Sequence, residues 1–128
     1  MRNSDGKDEY TISQLAEWLG TQKEAVLIGT DICVRGSVYS IKDAVETKFY
    51  GSSPFVSTLK SFLLSDDEGG QIIANCSLPD LQYKDKGVIL HTEEEDEVCV
   101  SGIYEGNLSI SARAFENTSL LERMKLET

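Results

Sequence analysis

The run A-V-L-I-G-T-D-I-C-V-R-G-S-V-Y-S-I, residues 25 to 41, constrains the fold more than any other stretch. From Ile32 onward, Ile32, Val34 and Val38 alternate with Cys33, Arg35, Ser37 and Tyr39. A two-residue period of this kind belongs to a β-strand with one apolar and one mixed face. Gly36 interrupts it, and a glycine inside an alternating strand marks a bulge or sharp bend, the device by which one strand turns a barrel corner. With 128 residues around such a strand, the chain has room for one core, so a single domain is expected. A hydrophobic fraction of 40% with 27% charged residues places it among soluble globular proteins.

Apart from Met1, residues 1 to 9 carry no large apolar side chain, and they read as a disordered lead-in, with the domain occupying 10 to 128. Thr11 and Gln14 have capping-box spacing, Tyr10 and Leu15 are placed as a hydrophobic staple, and Gly20 is placed as a terminator, which predicts a helix over 11 to 19. The barrel is expected over 25 to 116. Residues 42 to 57 read as a long connection containing Gly51 and Pro54, followed by a strand over Thr58 to Ser65. D-D-E-G-G at 66 to 70 makes a hairpin turn into a third strand, Gln71 to Ser77. A short helical or irregular connector ends near Gly87, and E-E-E-D-E at 93 to 97 reads as a solvated loop. Val98, Val100 and Ile103 supply a fourth strand; Leu108, Ile110, Ala112 and Ala114 supply a fifth, across a tight turn at Glu105 to Asn107. Ser119 and Glu122 have capping-box spacing ahead of a terminal helix over 119 to 126.

Three pieces of this order resemble the OB-fold domains of replication protein A-like single-strand DNA-binding proteins and related anticodon-binding-like domains. They are I-C-V-R-G-S-V at 32 to 38, F-L-L-S-D-D-E-G-G-Q-I at 62 to 72, and E-V-C-V-S-G-I-Y at 97 to 104 with L-S-I-S-A at 108 to 112. The resemblance implies an all-β fold, a five-stranded OB-fold Greek-key barrel with short flanking N- and C-terminal helices. It also implies a binding groove across the second and third strands. Residues 35 to 62 hold Arg35, Lys42, Lys48 and Lys60 against Asp43 and Glu46, and five of the ten aromatics. Cations that follow phosphates, interleaved with rings that stack on bases, suit a single-strand binder. The candidate contacts are Arg35, Tyr39, Lys48, Phe49, Tyr50, Lys60 and Phe62; Phe55 and Phe62 can equally be core residues. Two departures from the replication-protein pattern stand out. Ala74, Asn75 and Cys76 occupy the third strand where the family offers an aromatic, and the turn at Glu105 to Asn107 is too short for a clamp.

The formal charge of -10 opposes polyanion binding, yet residues 24 to 64 balance 4 basic against 4 acidic side chains, while residues 65 to 128 carry 5 against 14. Binding of single-stranded nucleic acid is therefore expected to be modest and salt-sensitive. The rival reading is a protein-interaction module or small subunit that docks through Leu120, Leu121, Met124 and Leu126 of the terminal helix. Fold alone does not choose between them. One histidine, His91, beside an acidic run, and no phosphate-binding glycine loop, dinucleotide fingerprint or metal-ligand spacing argue against an enzyme, a cofactor or a metal. Cys33, Cys76 and Cys99 form no C-x-x-C pair and read as reduced, partly buried thiols of a cytoplasmic protein. No apolar stretch long enough to span a bilayer occurs in the sequence.

Overall fold

The computed structural model describes residues 8–78 and 81–126, with side chains throughout these except at 44, 46, 48, 50, 55–58 and 126. In chain order the elements are β1 (Asp8–Tyr10), α1 (Ile12–Glu17), α2 (Gln22–Leu27), β2 (Asp31–Tyr50), β3 (Ser53–Ser65) and β4 (Gln71–Ser77). Then come α3 (Tyr83–Leu90), β5 (Glu97–Tyr104), β6 (Ser109–Asn117) and α4 (Thr118–Leu126).

The pairing runs β2-β3-β4-β6-β5, and β5 returns to pair antiparallel with β2, so the five strands close on themselves. Among these barrel pairings only β4 with β6 is parallel. This is the closed Greek-key barrel of the OB fold. Inward-facing residues fill it: Ile32, Val34 and Val38 from β2, Phe62 and Leu64 from β3, Ile72, Ala74 and Cys76 from β4. Val98, Val100 and Tyr104 come from β5, and Ile110, Ala112 and Phe115 from β6. The rings of Phe62 and Phe115 meet at 5.0 Å between centroids.

At one end α1 caps the barrel through Ile12 and Leu15, both fully buried. Gly36 makes this possible, because a Cβ there would meet Ile12 Cδ1 and the Ser65 carbonyl oxygen, each at 2.9 Å. The strand irregularity itself falls later, at Tyr39, where the β2–β3 register shifts between Val38 and Ser40. The Thr11–Gln14 capping box is formed, with the Gln14 amide donating to Thr11 Oγ1 at 3.0 Å and the Thr11 amide to Gln14 Oε1 at 2.9 Å.

Several readings of the sequence need correction. Residues 42 to 57 are not an irregular connection. β2 and β3 both continue past the barrel as a two-stranded ribbon, paired from Asp43 with Lys60 out to Tyr50 with Ser53, and Gly51 takes φ of 66° at its tip. Pro54 is tolerated there because a two-stranded ribbon leaves one edge of each strand unpaired. Asp8 and Glu9 do not belong to a lead-in, since β1 runs parallel to β2, pairing Asp8 with Ile32 and Glu9 with Cys33. Residues 25 to 27 close a second helix rather than open a strand, and α3 continues past Gly87 to Leu90.

The acidic run at 93 to 97 is only partly a solvated loop. Asp96 is 4% exposed and Glu97 opens β5. The terminal helix is capped by Asn117, whose Oδ1 accepts from the Leu120 amide at 2.8 Å, while Ser119 Oγ accepts from the Glu97 amide.

Candidate nucleic-acid interface

The second and third strands of the barrel, across which OB folds that bind a ligand hold it, are here β3 and β4. On the outer side of these strands Ser40 pairs with Leu63 and Lys42 with Ser61. With Ile73 of β4 they line a shallow groove of about 120 Å³. Asn75 extends the face across the barrel: its Oδ1 accepts from the Ser61 hydroxyl at 2.8 Å, and its Nδ2 donates to Ser109 Oγ at 3.3 Å. Among the described residues the groove therefore has no acidic lining, with hydroxyl and amide groups between two aliphatic side chains. Lys42 is the cation on it.

The ribbon rises from one edge of this groove. Asp43, Val45, Thr47 and Phe49 alternate along the ribbon face that continues from the inward side of the barrel, with Lys42 starting the opposite face, and Val45 and Phe49 are 72% and 69% exposed. An exposed ring on a two-stranded arm is a surface on which a planar base can stack.

The seven candidates scatter. Phe49 is on the ribbon with its ring in solvent. Lys48 and Tyr50 stand on the same ribbon, paired with Phe55 and Ser53, and their side chains lie outside the described residues. Tyr39 is exposed at the β2 irregularity, but it shares its depression with Glu94 and Glu95 rather than with the groove. Arg35 is away from the groove, its Nε donating to Glu9 Oε1 at 2.6 Å. Lys60 is on the inward side of β3, paired in register with buried Cys76, and its Nζ is 3.6 Å from Asp43 Oδ1. Burial pushes the Cys76 thiol up to about 12, with Lys60 acting in the opposite direction. Phe62 borders the groove but is fully buried, its ring packed in the core.

Sequence reading missed Ser40, Ser61, Leu63, Ile73, Asn75 and the position of Lys42. The alternation of β3 and β4 was the signal: Phe62 and Leu64 face the core, so Ser61 and Leu63 must face out, and Asn75 stands between two inward residues.

Two buried polar clusters hold the frame on which this face is built. Glu24 of α2, with 7% exposure, accepts from the Tyr104 hydroxyl at 2.7 Å and from the Gly20 amide at 3.1 Å. The Tyr104 hydroxyl in turn accepts from the Leu108 amide at 3.2 Å, fixing the β5–β6 turn beside the groove. The Tyr104 bond, then the Gly20 amide, hold the Glu24 carboxyl below its ordinary value. Burial, then that carboxylate, push Tyr104 up to about 12.

At the other end of the barrel Asp96 accepts from Arg123 Nη1 at 2.5 Å and Nη2 at 3.0 Å, from Asn117 Nδ2 at 2.9 Å and from the Glu93 amide at 2.9 Å. Burial acts to raise the Asp96 carboxyl, but these donors outweigh it and hold the group below its ordinary 3.8. Among the described residues no group of three or more His, Cys, Asp or Glu side chains is placed to hold a metal ion, and no helix is long and apolar enough to cross a membrane.

No family model matches the sequence, and no curated protein matches it. Solved structures do. OBody AM1L10, seen bound to hen egg-white lysozyme, superposes with a TM-score of 0.57 at 21% identity, over 87% of this chain and 93% of its own. OBody AM3L15, in a complex with the same lysozyme, gives 0.56 at 17% identity, over 88% and 89%. What they share with this chain is the fold. A chain of the S. pombe Stn1-Ten1 complex covers 99% of this chain and 92% of its own at 13% identity, with a TM-score of 0.49.

Proposed function

We propose that this chain is a non-catalytic, cytoplasmic OB-fold module that binds a short single-stranded nucleic acid, DNA or RNA, along the β3–β4 face. The observation that carries the reading is a groove with no acidic lining among the described residues, beside a two-stranded arm that carries an exposed ring. Ser61, Asn75 and Ser109 offer donors and acceptors to base edges, while Phe49 on the arm offers a ring and Lys42 a charge. Exposed carboxylates at Glu93, Glu94 and Glu95 lie outside the groove, on the connection between α3 and β5. The resemblance of 32–38, 62–72 and 97–112 to replication protein A-like domains supports the same reading.

Fluorescence anisotropy with labelled single-stranded DNA and RNA at low salt tests it. Saturable binding is expected, and Phe49→Ala should weaken it by about 5-fold or more, the low end of a lost base stack of roughly 1–3 kcal/mol. Lys42→Glu should weaken it further. Failure of both nucleic acids to saturate, or binding indifferent to both substitutions, refutes the reading.

A second reading rests on a different observation. In α4, Leu121 and Met124 are 56% and 54% exposed and, with Leu120, Val88 and Phe115, line a cleft of about 230 Å³ against the barrel. An apolar edge on so acidic a chain suits a protein partner, with the chain as a small subunit of a nucleic-acid-processing complex. Light scattering after size-exclusion chromatography tests the self-associating form of this reading. A monomer at every concentration, unchanged by Leu121→Lys, counts against it.

A further inference from the structure

Cys33 and Cys99 sit on the pairing that closes the barrel. The β2–β5 register sets Cys33 opposite Ser101 and Arg35 opposite Cys99, so the two cysteines are diagonal neighbours on one face of adjacent strands. Their neighbours Val34 and Val100 are paired and buried in the core, so Cys33 and Cys99 face the outer side. Right-handed strand twist brings one diagonal of such a quartet together. Here the two Sγ atoms are 2.7 Å apart. A disulfide bond is about 2.05 Å long, so the sulfurs need to close only by about 0.7 Å.

The pair is covered but not sealed. Cys99 retains 8% exposure and forms part of the cleft between α3, α4 and the barrel, together with Arg35. That cleft, about 230 Å³, admits a molecule as small as hydrogen peroxide. The Arg35 charge acts on both sulfurs and favours the thiolate that reacts. The hydrogen bond with Cys33, and then burial, work the other way and push the Cys99 thiol up.

We propose that Cys33 and Cys99 form an oxidation site, at which hydrogen peroxide converts the pair into an intrachain disulfide stapling β2 to β5. Cys99 attacks the peroxide oxygen, giving Cys99 sulfenic acid and one water. The Cys33 sulfur then attacks the Cys99 sulfur, forming the S–S bond and releasing a second water. Two thiols are oxidised, one peroxide is reduced, and both thiol protons leave in water. The new link spans 66 positions of sequence, so it restricts the unfolded chain strongly and should raise Tm by roughly ten degrees. Cys76, inward-facing on β4, is the internal control.

The test uses the native chain. It is treated with hydrogen peroxide, quenched, unfolded in N-ethylmaleimide and analysed by intact mass and tryptic mapping. One maleimide adduct is expected where the untreated chain of three cysteines takes three, with a cross-linked peptide joining Cys33 to Cys99. The Tm gain should disappear on reduction and in Cys99→Ala. Three adducts after treatment, over-oxidised Cys99 beside an alkylatable Cys33, or a disulfide that involves Cys76 or a second chain, overturns the proposal. None of these readouts involves the groove, so the oxidation site stands or falls apart from nucleic-acid binding.

Discussion

Replacing Asp96 with alanine is the sharpest test of how the terminal helix is held. Asp96 is 4% exposed, and its carboxylate accepts four hydrogen bonds, two from Arg123, one from Asn117 Nδ2 and one from the Glu93 amide. These tie the end of β6, the α3–β5 connection and α4 together at one point. Breaking a buried ion pair by removing one partner costs roughly 3–5 kcal/mol, because the survivor is stranded. Arg123 is not fully buried, with 35% of its side chain exposed, and Asn117 Nδ2 keeps its bond to Thr92 Oγ1 at 3.0 Å. Both can recover solvation, which brings the expected loss down to about 2–3 kcal/mol. In a domain of this size that is a Tm lower by roughly 10 °C. Urea unfolding followed by circular dichroism measures it, and an unchanged m-value shows that the same transition is being compared.

The pH dependence gives an independent check. The folded Asp96 carboxyl lies below 3.8, so its contribution is complete above that ordinary value and drains away as pH falls through the folded pKa. The gap between native chain and variant should therefore narrow below about pH 4. A loss under about 0.5 kcal/mol at neutral pH, against the buried-pair expectation, refutes the reasoning. A gap that stays constant into strong acid refutes it too.

Two other substitutions probe the frame. Tyr104→Phe removes the donor to Glu24 and the acceptor of the Leu108 amide, so Tm should fall by roughly several degrees, with faster amide exchange at Leu108. Gly102→Ala puts a Cβ 1.9 Å from the Ser111 carbonyl oxygen, a backbone atom that cannot yield, so the loss should exceed about 4 kcal/mol or leave no folded protein; a soluble variant with native Tm would refute that close approach.

Strand order was legible because each barrel strand carries its own apolar alternation. Ile32, Val34 and Val38, or Ile110 and Ala112, identify a buried face without any tertiary information. The ribbon was misread for a related reason. D-A-V-E-T-K-F-Y has strand composition but no buried partner to sharpen its period, and Gly51 with Pro54 looked like loop chemistry. Asp96 was hidden inside a run of five acids because burial of a carboxylate depends on Arg123, 27 positions away. The same long-range pairing undid the candidate site. Arg35 and Lys60 counted as cations for a ligand, while β1 and β2 had already placed Glu9 and Asp43 beside them.

That cancellation sets a quantitative expectation for the proposed binding. Each phosphate neutralised on a single strand contributes about -0.7 to the slope of log K against log salt. Of the described residues lining the groove, Lys42 is the one cation, and Lys48 stands on the ribbon above it. One or two phosphate contacts give a slope between about -0.7 and -1.4, so a fourfold rise in salt should weaken binding only about 3- to 7-fold. Affinity must then come mainly from stacking and from hydrogen bonds along Ser61, Asn75 and Ser109, and Phe49→Ala should leave the slope unchanged while lowering the intercept. A slope steeper than about -3 would mean that several more cations reach the phosphates, and the ligand would then lie on some other face of the barrel than the β3–β4 groove.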